Sequence, residues 1–169
     1  MSRPPRRLLV LALSLLGLAG CASHEPGGRL QYFEMDSASE GQRLHYGVYE
    51  PPGWDHHTPL PLVVLLHGAG DDHTAADRPA LTQRLDAAIR SGRLPPFLMV
   101  TPEGQRGLWM DWYDGTHHFR SWVLKDLLPA VRAKYPIDDR TGPHLVGVSI
   151  GGGGGLQMWL ADPGQFASA

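Results

Sequence analysis

Three short, uninterrupted apolar runs constrain this chain more than any other feature. They are Leu62-Val63-Val64-Leu65-Leu66, Phe97-Leu98-Met99-Val100 and His144-Leu145-Val146-Gly147-Val148. A strand with one wet face alternates polar and apolar residues. A run without alternation has both faces covered, as in the middle of a parallel sheet. The segments between the runs carry helical periodicity. Leu81, Leu85, Ala88 and Ile89 form one stripe, with Gly92 placed to end the helix. Leu124, Leu127, Leu128, Val131 and Tyr135 form another over residues 119–135, where Pro129 is expected to kink or split the helix. Residues 150–160 read as a glycine-opened third helix, stopped by Asp162-Pro163-Gly164. Two earlier strands, residues 30–35 and 43–50, give the chain an antiparallel-looking start. Strand alternating with helix predicts an α/β protein with a mostly parallel sheet and helices on both faces.

The first twenty residues stand outside that pattern. Arg3, Arg6 and Arg7 precede a short apolar stretch, residues 8–18, that ends in Leu18-Ala19-Gly20-Cys21. The stretch is too short to span a bilayer comfortably and suits an export signal. It looks like a bacterial lipoprotein leader, cut before Cys21, which then carries the lipid. An ordinary secretory signal with a chance cysteine is the alternative. The expected organisation is a leader over 1–20, a tether over 21–29 and one folded domain over 30–169. The body is expected to be exported and held at a bacterial membrane by the lipid, facing periplasm or exterior. Cys21 is the single cysteine, so no disulfide is expected. The formal net charge of −2 becomes more negative once the three leader arginines are gone, and it excludes nucleic acid as an obvious partner. The pairs His56-His57 and His117-His118, and the run Asp71-Asp72-His73, lack ligand spacing on a defined element. Neither a metal nor another cofactor is expected.

The chemistry concentrates at Gly147-Val148-Ser149-Ile150-Gly151, a G-x-S-x-G pattern between an apolar strand and a helix. In that context the serine occupies a sharp, strained turn. A side chain two residues to either side would clash, so glycine is needed at both places. The turn projects the hydroxyl and aims the Ile150 N–H at a substrate oxygen, helped by the helix N-terminus. His67-Gly68-Ala69-Gly70 follows an earlier buried strand, and its small residues let the Ala69 N–H approach from the opposite side. His67 is expected to hold this loop by hydrogen bonds rather than to move a proton, because it lies on the oxyanion side. Trp109 and Trp112, in a long aromatic loop, either line an acyl or alcohol pocket or cover the core.

Several segments together resemble the esterase D family. They are Leu65-Leu66-His67-Gly68, Pro102-Glu103-Gly104, Asp126-Leu127-Leu128-Pro129, Gly147-Val148-Ser149-Ile150-Gly151-Gly152 and Asp162-Pro163-Gly164-Gln165-Phe166. That family includes S-formylglutathione hydrolases, feruloyl esterases and mycolyltransferases. The resemblance implies an α/β-hydrolase fold, with Ser149 as nucleophile and Ala69 and Ile150 as the oxyanion hole. It implies hydrolysis of a carboxylic ester, or acyl transfer, on a small-molecule or polymer substrate. The run Gly151 to Gly155 departs from the family, which places alanine or a larger residue within it.

The family's order of Ser, then Asp or Glu, then His is not met. All nine histidines precede Ser149, and the one acid after it, Asp162, sits in a turn sequence. The expectation is a fragment of a longer esterase that lacks the last strands of the sheet, with residues 166–169 as the start of the next one. A triad rewired through His117 or His118 would break the known geometry. Two further readings remain: a peptidase or polyester depolymerase on the same fold, and a non-catalytic lipoprotein remnant.

Overall fold

The computed structural model describes residues 27–78 and 80–169. The expected leader, Cys21 and most of the expected tether lie outside the described residues. Among the described residues, five strands form one sheet: β1 (Arg29–Ser37), β2 (Gln42–Glu50), β3 (Leu62–Leu66), β4 (Leu98–Pro102) and β5 (His144–Gly147). Their spatial order is β1-β2-β4-β3-β5. β1 pairs antiparallel with β2, and β2 antiparallel with β4. β3 pairs parallel with both β4 and β5. The antiparallel start and the parallel centre are therefore both present. β5 stops at Gly147 because Val148 already belongs to the turn that follows.

Side-chain alternation along the strands divides the core. Leu62, Val64, Leu66, Leu98 and Val100 face one way. They meet a helical segment made of α2 (Phe119–Ser121), a π-helical stretch (Trp122–Leu127) and α3 (Leu128–Lys134), and they also meet α4 (Ile150–Ala161). Leu65, Met99 and Tyr49 face the other way, toward α1 (Leu81–Arg90). Helices thus cover both faces, as two-sided apolar strands require.

α1 ends in a Schellman arrangement: the Gly92 N–H donates to the Ile89 carbonyl and the Arg93 N–H to that of Ala88. Its apolar stripe is only partly buried. The buried residue of α1 is Asp86, whose carboxylate accepts the Tyr49 hydroxyl at 2.7 Å and the Gly28 N–H at 2.9 Å. Pro129 does not split the helix over 119–134. It lacks an N–H and its ring collides with the carbonyl four residues back. The wider π-helical turn just before it accommodates both defects. Asp126 on that turn accepts the Ser37 hydroxyl (2.6 Å) and the Ser39 N–H (2.9 Å), fastening the helix to the β1–β2 turn.

β5 lies at the edge of the sheet. Val146 and Val148 are 49% and 60% exposed, and Leu156 and Leu160 of α4 are also exposed. Beyond α4 the chain returns to this edge, where the Leu145 N–H donates to the Ser168 carbonyl at 2.8 Å in a parallel bridge. Residues 166–169 thus begin to pair as the sequence suggested. Among the described residues, no helix is long and apolar enough to cross a membrane.

The five glycines of α4 are not equivalent. A side chain at Gly154 would overlap Trp109, whereas one at Gly153 would meet nothing within 4 Å. Gly153→Ala should therefore stabilise the protein by up to about 1 kcal/mol. Gly154→Ala should destabilise it. Urea unfolding of the two variants beside the parent checks both signs.

Candidate active site

Ser149 sits between β5 and α4 with φ 54° and ψ −118°, a conformation that L-residues rarely adopt. Such a residue costs about 1–3 kcal/mol and persists only where its surroundings over-determine it. Here they do. A Cβ at Gly147 would overlap the backbone of Gly151, and a Cβ at Gly151 would overlap the Leu66 carbonyl at the end of β3. The Val148 N–H donates to that same Leu66 carbonyl at 3.1 Å. Both glycine positions flanking the serine are thus required by close backbone approach. The result is an exposed serine at the mouth of the parallel strands.

The loop after β3 stands opposite. A Cβ at Gly68 would lie 3.3 Å from the Val148 carbonyl oxygen and 3.5 Å from the Ser149 Cβ, so this loop and the serine turn nearly touch. Ala69 is exposed beside them. Ile150 is the first residue of α4, so its N–H is among the first-turn donors that have no carbonyl partner within the helix. Ala69 and Ser149 share a groove of about 300 Å³. Leu65, Ala75, Leu81 and Val148 make its apolar wall, and Asp71 and Arg78 stand at its border. Those two are paired, with the Arg78 Nε donating to the Asp71 carboxylate at 2.9 Å.

His67 borders the groove but is 1% exposed. Its Nε2 accepts the Gly104 N–H at 2.9 Å, which leaves Nδ1 to carry the proton and donate to the Gly68 carbonyl, also at 2.9 Å. With both nitrogens engaged, His67 clamps the loop and has no lone pair for the Ser149 hydroxyl. The segment that receives this clamp explains Pro102-Glu103-Gly104. The Gly104 N–H serves His67, the Glu103 carbonyl accepts the Trp122 indole N–H at 3.0 Å, and a side chain at Gly104 would overlap the Trp109 ring.

Among the described residues, neither expected pocket tryptophan borders the groove beside Ser149. Trp109 is 1% exposed; its ring packs edge-on to His67, and its N–H donates to the His67 carbonyl at 3.1 Å. Of the two expected roles, Trp109 packs into the core, where Gly104 and Gly154 leave room for its ring, and it also borders a separate cavity with Met110, Arg120 and Gln157. Trp112 is half-buried, donates to the Gly107 carbonyl and packs against His117. His117 lies 3.6 Å from the Glu40 carboxylate, and the His118 N–H donates to the same carboxylate. These histidines hold the aromatic loop to the β1–β2 turn and do not line the groove. Asp162 caps the end of α4, its carbonyl accepting the Gln165 N–H in a turn.

A mixed sheet with a parallel centre and helices on both faces, carrying a strained serine at a strand-to-helix turn, defines an α/β-hydrolase-type protein. The model of the family described as "Putative esterase" matches residues 37–169. The chain belongs to this esterase family. Solved structures agree on the fold. A ferulic acid esterase is 21% identical with a TM-score of 0.75, over 83% of this chain and 57% of its own. A fluorophosphonate-binding serine hydrolase of Staphylococcus aureus is 18% identical with a TM-score of 0.71, over 85% and 56%. An S-formylglutathione hydrolase from Agrobacterium tumefaciens is 22% identical with a TM-score of 0.67, over 83% and 56%. The chain therefore spans a little over half the length of these proteins.

His67→Ala should leave the Gly104 N–H buried without an acceptor. The orphaned donor alone should lower unfolding stability by about 1–3 kcal/mol, and loosening of Trp109 should shift its fluorescence. Denaturant titration followed by tryptophan emission measures both effects.

Proposed function

We propose that this protein hydrolyses carboxylic esters, or transfers their acyl groups, through an acyl-Ser149 intermediate. One observation carries the reading: Ser149 is held in a strained turn that glycines at 147 and 151 alone permit, facing the small-residue loop at Gly68-Ala69. The Ser149 Oγ attacks the acyl carbonyl carbon. The developing oxyanion is met by the N–H groups of Ala69 and Ile150, donors fixed in place before the reaction. The tetrahedral species collapses with cleavage of the C–O bond to the alcohol, which leaves carrying the proton given up by the Ser149 hydroxyl; water or a second alcohol then takes the acyl group and returns a proton to Ser149 Oγ. The apolar wall of Leu65, Ala75, Leu81 and Val148 suits the hydrocarbon part of the acyl or alcohol group. Neighbours named for ferulic acid esters and for S-formylglutathione fit this substrate class. The general base and its acid partner are assigned to no residue of the described groove, because its histidine, His67, is fully engaged.

The expected anchor at Cys21 belongs to the same proposal. A lipid there would hold the esterase body at a membrane surface while leaving the groove in water.

A fluorophosphonate probe applied to the protein in its own cells should label it, and Ser149→Ala should abolish the label. A folded, unlabelled protein would sink the catalytic reading and favour a non-catalytic lipoprotein. Separately, Cys21→Ala should move the protein from the membrane fraction to the soluble one. Retention in the membrane fraction would remove the lipid anchor from the proposal.

A further inference from the structure

We propose that His45, His73 and Glu103 form a binding site for a divalent first-row transition cation, with Zn²⁺ the best match to two imidazoles and one carboxylate. The inference does not depend on the role of Ser149, since none of the three residues lines its groove. They come from three separate segments: β2, the loop after β3, and the residue that follows β4. Each offers one ligand atom, and those atoms all lie within 4.8 Å of one another.

Two features point to a cation rather than to a chance cluster. The Nδ1 of His73 is buried with no hydrogen-bond partner. A buried polar atom in that state is costly unless something occupies its lone pair or takes its proton. Glu103 is also already aimed: its Oε2 accepts the His45 backbone N–H at 3.2 Å and lies 2.9 Å from His45 Nδ1. That short contact holds a proton between imidazole and carboxylate, the place a cation takes when ligands deprotonate.

Two neighbouring groups stand against the cluster. The Glu34 carboxylate lies 3.7 Å from His45 Nε2, on the far side of that ring. The Thr101 hydroxyl donates to the His73 carbonyl at 2.6 Å and fixes its backbone. The His45 and His73 rings lie 5.0 Å apart with planes 20° from parallel, so closure on a cation requires one ring to turn. His45 is half-exposed, and its turn would exchange the Glu103 contact at Nδ1 for the cation. An open concavity formed by Tyr32, Phe33, Glu34 and His45 provides the way in. A cation held here would tie the loop that carries Ala69 to β2 and β4.

Calorimetric titration of the metal-stripped full chain with Zn²⁺ tests the site. One ion per chain should bind, and thermal unfolding should move upward. His45→Ala, His73→Ala and Glu103→Gln should each weaken binding by at least about tenfold, the scale of effects seen even for outer-sphere partners. The paired changes His56→Ala with His57→Ala, and His117→Ala with His118→Ala, should leave binding as it was. Should His73→Ala not fold, the exposed His45→Ala and the conservative Glu103→Gln decide. Binding that survives both of these, binding that is lost with either outlying pair, or no uptake at millimolar Zn²⁺ would overturn the site.

Discussion

The structure depends on how closely the first turn of α4 approaches the end of β3. Leu66 presents its carbonyl to this approach, and Gly151 can lie against it because it has no Cβ. The same carbonyl accepts the Val148 N–H. One backbone oxygen therefore sets both the strand that enters the turn and the helix that leaves it. Ser149 between them has little conformational choice, and it is held at a positive φ. The strain is local, and its compensation is distributed through the parallel strands and the helices that cover them.

A second constraint links this turn to the rest of the sheet. The His67 ring lies between the ends of β3 and β4. It receives the Gly104 N–H, donates to the Gly68 carbonyl and meets the Trp109 ring edge-on. Trp109 in turn lies against Gly154 of α4. Loop, strand end, indole and helix form one packed unit around a neutral imidazole. A charged imidazole at this place would have to donate from both nitrogens, and the Gly104 N–H leaves Nε2 nothing to donate to. The histidine that borders the groove is thereby excluded from proton transfer by its own structural task.

Much of this was legible from residue order. The central strands announced themselves because an apolar run without alternation is a local signal of two-sided burial. The serine turn was legible because its glycines answer to backbone crowding within five residues, and the His67 role followed from the side of the nucleophile on which it falls. Other features were hidden. Asp86 occupies the buried position of α1 because Tyr49 and Gly28, distant in sequence, bring it a hydroxyl and an N–H. The packing of Trp109 was hidden as well, because glycines far apart in sequence, Gly104 and Gly154, vacate the space its ring fills. Pro129 showed as a π-helical turn instead of a break, since neighbouring buried side chains hold the helix together across the defect.

Residue order by itself determined the class of fold, the position of the serine and the glycines that permit it. These rest on short-range rules: period, apolar continuity and the absence of a Cβ. Tertiary structure alone decided which polar groups meet. His67 with Gly104, Asp126 with Ser37, and His45 with His73 and Glu103 are joined only after β2, β3 and β4 are laid side by side. Hydrogen bonding and metal ligation need atoms within a few ångströms of each other. Distance along the chain carries no record of that proximity until the sheet has formed.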